Sequence, residues 1–140
     1  MKISISAIII FSILLVSCGS PKSVSGKKTP VEGHWKLSYI ADAAASKEFM
    51  SSRKPVISFS GNQISGNTNC NNFAGTLNLE GKKINFRDSN LAVTMIACEG
   101  KGEGAFMTAL NRVDHYKLSD NGQTLQFLNG QTVELGFEKQ

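Results

Sequence analysis

Beyond position 30 the apolar residues mostly fall on every second position. Trp35, Leu37 and Tyr39 alternate with Lys36 and Ser38, Ile57 and Phe59 with Ser58 and Ser60, Leu77 and Leu79 with Asn78, and Ile84 and Phe86 with Asn85. Tyr116 and Leu118, Leu125 and Phe127, and finally Val133, Leu135 and Phe137 repeat the pattern. This period predicts strands with one face on a core and the other in water. Turn formers sit between the runs at Gly61-Asn62, Glu80-Gly81, Asn121-Gly122 and Asn129-Gly130. They predict tight antiparallel hairpins in a meander.

One segment changes period. From Glu103, residues Phe106, Leu110 and Val113 fall at helical spacing beside Met107, with Thr108, Asn111 and Arg112 on the other side. The spacing predicts one amphipathic helix that starts irregularly among Gly100, Gly102 and Gly104 and covers the open face of a curved sheet. The stretch 41–53 holds Ala43-Ala44-Ala45 but is short and Ser-rich, and reads as a loop with one helical turn. The expected class is thus mainly β with one α-helix, an α+β domain over residues 31–140.

The first residues carry an address. Lys2 precedes an apolar run from Ile3 to Val16 that ends at Ser17-Cys18, the layout of a secretory signal and too short for a membrane span. Leu15-Val16-Ser17-Cys18 resembles the lipobox of bacterial lipoprotein precursors. It predicts a signal peptide at 1–17 and lipidation of Cys18, with several acyl chains giving stable anchoring. Residues 18–30 then read as the lipidated Cys and a flexible tether, since Gly19 to Pro30 has one apolar residue, Val24. Fully extended, those residues reach ~40 Å. Gly19-Ser20 follows the cysteine without an acidic cluster, so the expected address is the periplasmic face of the outer membrane, with the membrane itself as a partner.

Loss of Lys2 leaves 14 basic against 11 acidic residues, a mild excess. With no basic stripe interleaved with aromatics, no nucleic-acid partner is expected. Lys22, Lys27 and Lys28 stand near the anchor, where attraction to anionic head groups explains them. Cys70 and Cys98 are the other cysteines, and an oxidising compartment favours a disulfide between them. The alternatives are two reduced, packed thiols, or a reactive thiol served by His115 as base. His34 and His115 are isolated and neither cysteine has a Cys-x-x-Cys spacing, so no metal and no cofactor are expected. Glu99 and Glu103, at a helix start, are expected to answer the helix dipole.

The stretch Ile64-Ser65-Gly66-Asn67-Thr68-Asn69-Cys70-Asn71-Asn72-Phe73-Ala74-Gly75, followed by Leu91-Ala92-Val93-Thr94-Met95-Ile96-Ala97-Cys98 and Glu103-x-x-Phe106-x-x-x-Leu110, resembles the META domain, also called the HslJ-like domain. Trp35-Lys36-Leu37 and Pro55-Val56-Ile57-Ser58-Phe59 fit the same pattern. The resemblance implies an antiparallel sheet curved into a cracked β-barrel of about eight strands with a single packed helix, and Cys70 facing Cys98. Asn69 departs from the pattern, where members of the family often carry Gly. Members include envelope lipoproteins linked to heat response and to resistance to hydrophobic antibiotics, without an agreed enzymatic activity.

The motif residues have a structural reading: asparagines as turn formers, Gly66 and Gly75 supplying unusual dihedrals, Thr94 and Met95 packing under the cystine. The functional reading makes Asn69, Asn71, Asn72, Thr94 and Met95 a binding surface. Three functions compete. The first is a non-enzymatic envelope protein supporting integrity or stress tolerance through contacts with an envelope protein partner. The second is a carrier or pilot-like chaperone holding an acyl chain or apolar segment, a hydrophobic ligand, inside the barrel. The third is a thiol or hydrolytic enzyme. A core in which Trp35, Phe59, Phe86, Phe106, Leu110 and Phe127 close on each other leaves the second no room.

Overall fold

A computed structural model describes residues 28–140. The expected signal peptide, Cys18 and most of the tether lie outside the described residues. Eight strands form one antiparallel sheet: β1 (Gly33–Ile40), β2 (Val56–Ser60), β3 (Gln63–Asn67), β4 (Asn72–Thr76), β5 (Ala92–Val93), β6 (His115–Ser119), β7 (Thr124–Asn129) and β8 (Thr132–Lys139). Their order is β5-β4-β3-β2-β1-β8-β7-β6. The sheet is open: β5 and β6 are its edges and no ladder joins them, so it does not close into a barrel. Strands β1 and β8 sit side by side in its interior, with Leu37 opposite Phe137.

The alternation places β2 and β7 as expected, with Ile57, Phe59, Leu125 and Phe127 buried. It fails within β1. A register shift between Leu37 and Tyr39 in the β1–β8 ladder inserts a bulge, which reverses the phase of the strand. Tyr39 is therefore 51% exposed, and Ile40 faces the core instead. Leu77, Ile84 and Phe86 are buried, yet their segments are not ladder strands. Residues 77–91 run irregularly, with isolated bridges at Glu80–Lys83 and Lys83–His115. Tyr116 N–H donates to the Lys82 carbonyl and Ile84 N–H to that of Asp114, so this segment covers the outer edge of β6, which would otherwise offer unpaired backbone groups.

Among the described residues there are two α-helices, not one. The expected helix is α2 (Gly102–Arg112), which buries Phe106, Ala109 and Leu110. The stretch expected to be a loop contains α1 (Ala43–Ser51). Its N-cap Asp42 accepts the Ala45 N–H at 2.8 Å, meeting one of the donors a helix start leaves open. Ala45 and Phe49, four residues apart, anchor it to the core. That narrow apolar contact is why periodicity alone missed it. The helices touch end to end as well: the Glu48 carboxylate of α1 accepts the N–H groups of Lys101 and Gly102, at 2.9 and 3.0 Å, and so caps α2 from outside.

Trp35, Phe59, Phe86, Phe106, Leu110 and Phe127 belong to one buried cluster. Phe127 lies 5.1 Å from Phe137, 5.2 Å from Phe86 and 6.4 Å from Phe59, centroid to centroid, and Phe106 touches the rings of Phe73 and Phe137. These spacings are those of mutually packed aromatic rings. The Trp35 indole N–H, fully buried, donates to the Val31 carbonyl at 2.7 Å.

Candidate functional site

The turn between β3 and β4, the loop after β5 and the start of α2 meet at one side chain, Asn71, which is 4% exposed. Its Oδ1 accepts the Thr94 hydroxyl at 2.7 Å and the Ile96 N–H at 2.8 Å. Its Nδ2 donates to the Ile96 carbonyl at 3.0 Å and to Glu103 Oε2 at 3.1 Å, and lies 3.1 Å from Cys98 Sγ. Beside it Thr68, fully buried, donates its hydroxyl to Glu103 Oε1 at 2.6 Å and accepts the Asn71 N–H at 3.0 Å. Such a network is stabilising because each buried polar atom finds a partner.

Cys70 and Cys98 are joined in a disulfide, with Cα atoms 6.0 Å apart. Closing a loop of sequence separation 28 contributes at most about 3.5 kcal/mol through the entropy of the unfolded chain. It ties the 94–98 loop to the turn before β4, the same two segments that Asn71 joins.

Of the five residues expected to form a binding surface, Asn71 is interior, a correction with a clear cause: its amide is used up by partners 23 to 32 residues away. Asn72 and Thr94 are exposed and bonded to each other, Asn72 N–H to Thr94 Oγ1 at 3.0 Å. Met95 does not pack under the cystine; it is 94% exposed, and its neighbour Ile96 60%. Ile96, two residues before Cys98, joins Met95 in this exposed pair and carries no signal of its own in the sequence. Gly66 and Gly75 do not supply unusual dihedrals either, since neither has positive φ. A Cβ on Gly66 would meet the Phe73 ring and the Val56 carbonyl, and one on Gly75 the Asn90 carbonyl. Close approach is what excludes larger residues there.

Asn69 does sit at positive φ, 91°, where glycine is relaxed and asparagine is tolerated. Its N–H is held by Asn67 Oδ1 at 2.9 Å, an Asx turn. We expect Asn69→Gly to stabilise the domain by about 0.5–1 kcal/mol, read as a higher denaturant midpoint with unchanged slope.

Glu103 departs from its expected role, because Glu48 already caps α2 and the Glu103 carboxylate turns towards Thr68 and Asn71 instead. His115 lies on β6 and pairs with Asp114, while both sulfurs are in the disulfide. The Gly130 N–H first, and His115 second, hold the Asp114 carboxyl below its ordinary value. His34, on β1, pairs with Ser58 Oγ at 2.7 Å. Elsewhere a cleft of about 580 Å³ opens between residues 76–89 and the end of α2, rimmed by Lys83, Arg87, Asp88, Arg112 and Asp114.

An open eight-stranded antiparallel sheet with two helices, its surface loop pinned by one disulfide and one buried asparagine, defines a small α+β domain. The chain belongs to the META domain family, which it matches over residues 28–140. No curated protein matches it. Its fold is similar to that of a protein from Burkholderia xenovorans solved by NMR, with TM-score 0.59, 21% identity, and coverage of 87% of this chain and 97% of that one. It is also similar to a DUF4847 family protein from Bacteroides vulgatus ATCC 8482, with TM-score 0.58, 16% identity, and coverage of 79% and 95%.

Proposed function

We propose that this chain is a non-enzymatic envelope protein, held by lipid on Cys18 at the periplasmic face of the outer membrane, that supports envelope integrity or stress tolerance through protein contacts. The observation that carries the reading is the loop around Met95 and Ile96. Two adjacent large apolar side chains are 94% and 60% exposed, on backbone that Asn71 and the disulfide hold in place. Binding through such a loop loses little conformational entropy, since the backbone is ordered beforehand. The core also supports contacts over cargo inside the fold, because its aromatic rings fill the interior.

A photo-crosslinking residue at position 95, in cells of the source organism, is expected to give a discrete protein adduct that a probe at Lys117 on β6 does not give. Asn71→Ala should abolish the adduct by loosening the loop. Equal labelling at both positions, or adducts only with lipid, would overturn the reading.

A further inference from the structure

Cys70, Cys98 and Glu103 come from three separate segments, yet their sulfur and carboxylate oxygen atoms all lie within 4.8 Å of one another. All three residues are half-buried. Two features set the cluster apart from an acid that happens to lie beside a disulfide. The first is the direction of Glu103. A carboxylate in the first turn of a helix ordinarily serves the helix dipole, but here Glu48 already receives the Lys101 and Gly102 N–H groups. Glu103 is thereby free to face the sulfurs. The second is what holds it. Thr68 Oγ1, fully buried, donates to Oε1 at 2.6 Å, and the buried Asn71 amide donates to Oε2 at 3.1 Å while lying 3.1 Å from Cys98 Sγ and 3.9 Å from Cys70 Sγ. One amide thus orients the carboxylate and faces both sulfurs, the kind of outer support that metal ligands rely on.

We propose that reduction of the Cys70–Cys98 bond converts this cluster into a site for a divalent cation of the zinc class, held by both thiolates and the Glu103 carboxylate with water in the remaining position. A dithiol reductant supplies two electrons and two protons: the Cys70–Cys98 bond breaks, two thiols form, and the reductant's own sulfurs join in a disulfide. The cation then displaces the two thiol protons, which go to solvent. Zinc–sulfur bonds of ~2.3 Å in a tetrahedral site place two sulfurs roughly 3.8 Å apart. Side-chain rotation reaches that separation from Cα atoms 6.0 Å apart without moving the strands. Two sulfurs and one oxygen favour zinc over magnesium or calcium, which take oxygen sets. Two thiolates and a carboxylate also bring three negative charges together, which a divalent cation offsets. The site owes nothing to the protein contacts proposed above.

The test uses the full chain carrying Cys18→Ser, which leaves Cys70 and Cys98 as its only thiols. It is reduced with a phosphine and titrated anaerobically with Co²⁺, then Zn²⁺. One equivalent of Co²⁺ is expected to give thiolate-to-metal charge-transfer absorption, displaced by Zn²⁺ and absent from the oxidised chain. Cys98→Ser should lose the band, and Glu103→Gln, which removes a ligand and its charge, should weaken binding by at least the about 10–100-fold typical of losing an outer-shell partner, while its disulfide form keeps the native circular dichroism. Should the reduced chain unfold, one equivalent of Zn²⁺ is expected to restore its structure. A reduced chain with no charge-transfer band, one that Zn²⁺ fails to refold, or affinity indifferent to Glu103→Gln overturns the proposal.

Discussion

Phe106→Ala is expected to destabilise the domain by about 3–5 kcal/mol. Phe106 is fully buried on α2, with Phe73 of β4 on one side and Phe137 of β8 on the other. It therefore joins the helix to two strands that are far apart in the sheet. Truncation removes the transfer energy of the ring and leaves a cavity whose walls belong to three elements, and such a cavity collapses poorly. Equilibrium denaturation in urea, read by the fluorescence of Trp35, measures the loss. A change below about 1 kcal/mol, the range of a site that repacks freely, would mean that α2 is not seated as described.

Asn71→Ala is expected to cost about 3–4 kcal/mol, unusual for the loss of an uncharged side chain. The reason is the number of partners stranded. The Thr94 hydroxyl, the N–H and carbonyl of Ile96, and Glu103 all lose a bond; a fully buried group left without a partner costs about 1–3 kcal/mol, and these part-buried ones each cost a share of that because water reaches them. The isosteric Asn71→Asp separates the two halves of the amide. Its oxygens can still accept from Thr94 and Ile96, but the donor to Glu103 is gone and a second carboxylate faces the first. Two carboxylates so close raise each other's folded-state proton affinity. The folded variant then binds more protons than the unfolded chain, so its stability should rise as pH falls from 7 towards 5, opposite in sign to an ordinary carboxylate held by donors. Denaturant midpoints of Asn71→Asp across that range, against the wild type, test this. A flat difference would show that Glu103 and residue 71 do not interact.

Much of this architecture can be read from residue types. The alternation around Ile57, Leu125 and Leu135 marks central strands because both neighbours and the core act on them, and Phe106, Leu110 and Val113 mark the helix because one face is buried along its length. What stayed hidden follows from local rules being overridden. Tyr39 was expected inward, but a single bulge reverses β1, and nothing in Ser38 announces it. Leu77, Ile84 and Phe86 alternate as in strands and are buried as in strands, yet their backbone is satisfied by turns and by one flank of β6. Helix α1 has a signal in Asp42 ahead of an alanine run, and the cap outweighs the serines that follow it. The motif segment was legible as a family trait, but its asparagines divide into roles that spacing cannot separate: Asn69 bends the chain, while Asn71 joins segments distant along it. The pairing of Cys70 with Cys98 was legible, but the approach of Glu103 to their sulfurs has no sequence signature, because three elements must first pack to create it.

The seating of β8 between β1 and β7 also sets the order in which the molecule can be assembled. The domain's final strand, β8, is an interior strand of the sheet. Until Thr132–Lys139 arrives, the chain holds two incomplete half-sheets, β1 to β5 and β6 to β7, each with an apolar flank and an unpaired edge. The most distant pairing along the chain, Trp35 with Lys139, is then the one that completes the whole. A polypeptide of this design commits to its native form late and all at once, and the half-sheets still lacking β8 are its most aggregation-prone species.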